Sequence, residues 1–253
     1  MSLSKCLEIL NKYLPSFLLG VRTTLIVSIV GTLIGFVIGL FVGGLRAIKL
    51  DKTTSKNTII FKKIIDILFK VYIEVFRGTP MMVQAVFIYY LVYTNIIKWH
   101  KMVAAIFIIS INTGAYMAEI VRSGIQAVDI GQDEAARSLG LSSTQTMMNI
   151  ILPQAIKNAF PAIGNELIVN IKDSSVLMII SITELMFQSN SIAGTTYKFS
   201  ETYFVTAMIY LSLTTIASFI IHLIEKNLNN TRTSLPQSDT NFSSITIANK
   251  GGR

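Results

Sequence analysis

Apolar residues come in long runs along this chain, and the polar residues between them are grouped rather than scattered. At 1.5 Å per residue, about twenty apolar positions cross the ~30 Å hydrocarbon layer, so runs of this length predict membrane helices. Five are expected: Thr23–Gly44, Val71–Ile97, Met102–Val121, Ala159–Ile182 and Tyr203–Ile224. Ahead of them, Ser2–Phe17 is mixed in character and interrupted by Pro15, which suits a segment on the membrane surface, assigned to residues 1–16. Residues 17–224 then form one all-α integral membrane domain of five helices. Thr183–Ser200 is expected to be an outer loop. The Ser-, Thr- and Asn-rich tail 225–253 lacks helical periodicity and is expected to be disordered.

The departures from apolarity inside the runs are the informative positions. Gly31, Gly35, Gly39 and Gly43 fall four apart on one face of the first span, a groove that lets a neighbouring helix come close. Gly78 and Pro80, in EVFRGTP (Glu74–Pro80), should break the second span and free backbone groups that must be satisfied inside protein or by cavity water. Asn112 lies mid-span and needs a partner; Glu119 and Arg122, one turn apart, read as a structural ion pair. The fourth span is the most polar. At 100° per residue Glu166, Asn170 and Asp173 lie within about 60° of one another while Lys172 points away, which makes a stripe rather than scattered charge. Acids at membrane depth are costly and mark a pathway or binding site by default; the competing reading is an internal polar network.

The one polar, well-capped helical segment of any length between the apolar runs is Gly131–Pro153, GQDEAARSLGLSSTQTMMNIILP. Gln132–Leu139 is rich in helix formers, carries Asp133 and Glu134 where the helix dipole favours acids, and ends at Gly140, suited to a left-handed cap. Ser142 with Gln145 is a capping-box pattern that restarts a helix, and Pro153 should interrupt it. The expected shape is a helical elbow. By itself it could be an ordinary loop helix or the turn of a DNA-binding helix-turn-helix.

Composition removes several classes. With 51% hydrophobic and 14% charged residues and a mean hydropathy of +0.57, the chain is too apolar for a soluble domain of 253 residues. The net charge of +8 belongs with loops beside anionic lipid. Arg46, Lys49, Lys52, Lys56, Lys62, Lys63 and Lys70 crowd the first linker against Asp51 and Asp66. By the positive-inside rule that linker is cytoplasmic, the N-terminus outside and the C-terminus inside; Lys5, Lys12 and Arg22 pull weakly the other way. Cys6 is the single cysteine and permits no intrachain disulfide. His100 and His222 stand alone and read as incidental, and no metal site is expected. No cleavable leader is recognisable ahead of the first span. A G-x-x-x-x-G-K-[ST] phosphate loop is absent from the sequence.

Taken together, Glu134-Ala135-Ala136, Gly140 and Ile150-x-Leu152-Pro153 resemble the EAA signature of permease subunits of bacterial ABC importers. EVFRGTP, GAYMAEIVRSGI (Gly114–Ile125), LPQAIKNAFPAIGNE (Leu152–Glu166) and KDSS (Lys172–Ser175) resemble, more narrowly, the polar amino acid uptake class, over about Phe17–Leu223. The resemblance implies a type I importer permease fold. It also implies that 131–153 is the coupling segment, with Glu134, Ala135, Ala136 and Gly140 seated in a cleft of a cytoplasmic ATPase. Such a protein is not itself an enzyme and holds no cofactor; ATP and Mg belong to the partner ATPase dimer. A second permease subunit, identical or a paralogue, and an extracellular or periplasmic amino acid binding protein complete the implied assembly in the bacterial plasma membrane. Nucleic acid is not among the implied partners.

Glu166 and Asp173, with Asn170 and Asn112 beside them, are the expected substrate-binding residues, because two carboxylates favour an ammonium or cationic side chain. A polar or basic amino acid fits them. A membrane-tethered helix-turn-helix regulator is disfavoured because Ser142–Leu152 contains no Lys or Arg for phosphate contact. A channel or secondary transporter would use buried acids but has no need of the coupling signature.

Overall fold

A computed structural model describes residues 2–48 and 55–230. The described residues are helical throughout, in the order α1 (Leu3–Ala47), α2 (Lys56–Gly78), α3 (Met81–Asn95), α4 (Lys101–Gln126), α5 (Ile130–Ser138), α6 (Ser143–Thr146), α7 (Leu152–Asp173), α8 (Leu185–Thr196) and α9 (Phe199–Asn230). A wide π turn, Met147–Ile151, joins α6 to α7, and a tight 3-10 stretch, Ser174–Ile180, follows α7. Among the described residues, α1, α4 and α9 are each long and apolar enough to cross a bilayer, and Ser143–Ile180 with Leu185–Thr196 forms a further crossing bent by 56°. The remaining expected span is divided between α2 and the fifteen residues of α3, which at 1.5 Å each fall short of the hydrocarbon thickness alone.

The glycine face does what its spacing requires. A methyl group added at Gly31 would lie 2.5 Å from Ile109 Cγ2, at Gly35 2.7 Å from Thr113 Cβ, and at Gly43 2.8 Å from the Ala118 carbonyl oxygen. Numbers rise together along both helices, so α1 and α4 run parallel, backbone against backbone. Gly124 meets the Ala155 carbonyl in the same way, which brings the end of α4 to the start of α7.

Three expectations change in detail. The N-terminal segment is the first part of α1, kinked at Tyr13 (φ −110°, ψ 18°), because Pro15 lacks an N–H and its ring crowds the preceding turn. Cys6 and Ile9 on this segment are buried with Leu185, Ile192 and Val205. Second, the expected outer loop 183–200 is mostly helix: α8 is folded back onto α1, with Leu185, Ser189, Ile192 and Ala193 buried. Glu184 makes this possible. Its carboxylate, fully buried, accepts from the backbone N–H of Met186 (2.7 Å) and Phe187 (2.6 Å) and from the Tyr210 hydroxyl (3.0 Å), so the helix start carries its own acceptor into an apolar setting. Third, Pro153 does not end a helix but sits in the first turn of α7; the π turn ahead of it widens the backbone where the ring would clash. The first linker's residues 49–54 and the tail from residue 231 lie outside the described residues, whereas α9 carries the helix past Glu225 to Asn230.

Candidate functional site

The break at Gly78–Pro80 is real, and its freed carbonyls are satisfied by side chains. Thr79 and Pro80 are extended. The Gln84 amide donates to the carbonyls of Phe76 and Thr79, each at 2.9 Å, and its oxygen accepts from Asn112 Nδ2 at 2.8 Å. Asn112, expected to face substrate, is 7% exposed, and its Nδ2 ties α4 to the broken span. Gln84 was not legible as functional; its only signal was an amide four residues after a Pro-terminated break.

Asn170 is likewise occupied. Its Nδ2 donates to Thr32 Oγ1 (2.7 Å) and Thr113 Oγ1 (3.0 Å), and its backbone carbonyl accepts from Ser28 Oγ (3.0 Å), so one amide ties α7 to α1 and α4. These bonds form an internal polar network around Asn170. Glu166 is buried and Asp173 half-buried on the same face of α7, one turn to either side of Asn170. Arg77 of EVFRGTP lies over the Tyr116 ring of α4 at 5.6 Å.

The elbow forms as expected in outline. Asp129 caps α5 through the Gly131 N–H (2.7 Å), Gly140 takes φ +83°, and Ser142 with Gln145 makes both halves of the capping box. Arg137 donates to Ser143 across the turn and pairs with Asp133. Glu134 and Ala135 are exposed, Ala136 is buried, and Leu139 at 84% and Ile130 at 67% stand in the open. Ile130 and Leu139 are exposed apolar side chains of the elbow that the motif does not include. Behind the elbow, Glu119 accepts from Arg122 Nη2 (2.7 Å) and Arg46 Nη1 (3.3 Å), so the expected pair is a three-residue cluster joining the ends of α1 and α4. A cavity of about 390 Å³ lies between this cluster and α5, lined by Arg46, Arg122, Asp129, Asp133 and Arg137.

An α-helical membrane core with a broken span, a polar face on α7 and a solvent-exposed elbow is the build of a transport permease. Comparison with known proteins agrees. Residues 53–230 match the family described as binding-protein-dependent transport system inner membrane component, and the chain belongs to that family. It is a membrane-embedded permease subunit of an ABC importer. The Escherichia coli K12 glutamine transport system permease protein GlnP is 34% identical over 217 residues, covering 85% of this chain and 94% of that one. The crystal structure of an amino acid ABC transporter with histidines superposes with a TM-score of 0.75 at 38% identity, covering 86% of this chain and 96% of the other. The inward-facing MetNI methionine ABC transporter, at 20% identity and a TM-score of 0.71, shares the fold. The family and fold anticipated from the motifs stand, and the helix-turn-helix alternative does not: α6 is a single turn, with Met147 and Ile151 behind it buried.

Proposed function

We propose that this permease serves an ATP-driven importer of a polar or basic amino acid. The observation that carries the reading is similarity over nearly the whole chain to an amino acid ABC transporter and to a glutamine permease, with the elbow motif complete. The N-terminus lies outside and the C-terminus in the cytoplasm; the parallel course of α1 and α4 agrees with this, since both then enter from the outer face. A cytoplasmic ATPase dimer holds ATP and Mg and receives Glu134, Ala135, Ala136 and Gly140, with Leu139 and Ile130 as apolar contacts. A second permease subunit and an external amino acid binding protein complete the assembly.

Closure of the ATPases tilts the elbow, and α7, continuous from the π turn, carries the tilt to Glu166 and Asp173. These two acids face the path and attract the amino acid's ammonium group. Asn170 and Asn112 frame that path rather than touch cargo.

The test is ATP-driven uptake by the reconstituted complex, comparing labelled arginine, glutamine and cystine in wild type and Asp173→Asn. Loss of arginine uptake with the ATPase still bound supports a cationic cargo beside Asp173. Unchanged arginine uptake overturns that placement, and uptake driven by an ion gradient without ATPase overturns the importer.

A further inference from the structure

A second cavity, of about 510 Å³, lies at the opposite end of the molecule from the elbow. Tyr89 and Tyr93 of α3, Trp99 and His100 of the α3–α4 turn, Lys101 of α4 and Thr183 line it. Its two walls differ in chemistry. One is aromatic: Tyr89 stacks on Tyr93 (5.7 Å, 18° between planes) and on Trp99 (6.4 Å, 22°), and Trp99 meets Phe107 edge-on at 5.6 Å. Ring faces carry partial negative charge and attract an ammonium group. The other wall is positive. Lys101 opens a helix of 26 residues, whose first turn carries the positive end of the dipole. His100 Nδ1 accepts from the Met102 N–H (3.3 Å), so a neutral ring carries its proton on Nε2 as a further donor.

A bare cation is repelled by Lys101 and a bare anion by the rings, whereas a zwitterion satisfies both walls. The indole N–H of Trp99 is buried without a partner among the described residues, which leaves a donor unspent in the wall. The position is equally specific. Ser181, at φ 61°, closes the 3-10 stretch that continues α7 and lies on the cavity lining; at ~2 Å rise per residue it stands roughly 15 Å beyond Asp173.

We infer that this aromatic and cationic cavity is a receiving site for the free amino acid zwitterion, its ammonium on the Tyr93 and Trp99 rings that Tyr89 backs and its carboxylate at Lys101 and the α4 N-terminus. This rests on the amino acid importer reading, and it places a resting point between the external binding protein and the Glu166–Asp173 face. Occupancy there is weak by construction, since cargo has to move on.

Trp99 is the single tryptophan of the chain and reports on the site directly. The permease–ATPase complex in lipid nanodiscs, without binding protein, is titrated with L-glutamine, L-arginine, N-acetylglutamine and phosphoethanolamine, and the emission of the Trp99→Phe complex is subtracted. The expected result is a saturable change with glutamine or arginine at millimolar concentrations, lost with N-acetylglutamine and kept in Asp173→Asn. Lys101→Gln raises the half-saturating concentration by about three- to tenfold, the size of one partly exposed charge contact. Uptake from loaded binding protein falls in the order wild type, Trp99→Phe, Trp99→Leu. No amino acid response in wild type overturns the site while ATP-driven uptake still upholds the importer. A response to phosphoethanolamine without one to amino acids makes it a lipid headgroup site and overturns the inference. Absence of ATP-driven uptake strikes the importer reading instead, and the titration still decides whether the zwitterion binds.

Discussion

Asn112 Nδ2 donates to Gln84 Oε1 across 2.8 Å, and the same Gln84 amide donates to the two carbonyls that the break at Pro80 leaves open. A polar residue in the middle of α4 is thus the far end of a repair made to α3. Gln84→Leu exposes those carbonyls to an apolar setting, and polar contacts inside membrane proteins are typically worth ~0.6 kcal/mol and at most about 1.7. In a double-mutant cycle with Asn112→Leu, thermal unfolding in detergent should show clearly less than additive losses, because the first substitution already removes the partner of the second. Additive losses would separate the two residues.

The α1–α4 contact predicts a sharp positional difference among glycines. Gly35→Val drives a branched side chain into Thr113 Cβ, 2.7 Å from where the first added carbon would sit, and overpacking of this kind costs ~1–3 kcal/mol. Gly44→Ala meets nothing within 4 Å and should leave unfolding unchanged or slightly improved. Equal thermal shifts for the two variants would argue against the parallel packing.

On the elbow, exposure separates docking from folding. Leu139→Ser changes a side chain that touches water, so the permease should keep its unfolding temperature while losing co-purified ATPase and several-fold of ATP-driven uptake. Ala136→Leu enlarges a side chain only 5% exposed and should lower the unfolding temperature of the permease itself. If Leu139→Ser leaves ATPase binding intact, the apolar tip is not a contact.

Glu184 should tolerate an amide and not a hydrocarbon. Glu184→Gln keeps an acceptor for the α8 N–H groups, whereas Glu184→Leu strands the donors of Met186, Phe187 and Tyr210, at ~1–3 kcal/mol for each group left unsatisfied. Limited proteolysis at the 181–198 segment, compared in nanodiscs, checks this. Cleavage that rises in Glu184→Leu and stays at the wild-type level in Glu184→Gln is the expected pattern.

Hydrophobic run length, glycine spacing and the elbow's capping residues are local quantities, and a single chain displays them in full. For that reason the all-α membrane class, the close-packing face of α1, the break at Gly78–Pro80, the Gly140 turn and the family motifs were all readable without coordinates. The partner of a buried polar group is a different kind of fact. Asn170 shares one face of α7 with Glu166, and its hydrogen bonds go to Thr32 and Thr113, more than fifty positions away in sequence. The back-folding of α8 on Glu184, the inward turn of Ala136 and the meeting of Tyr89 with Trp99 follow the same rule. Each depends on which helices come to lie side by side, and only the tertiary structure decides that, because hydrogen bonds and ring contacts are satisfied between segments whose proximity no local pattern encodes.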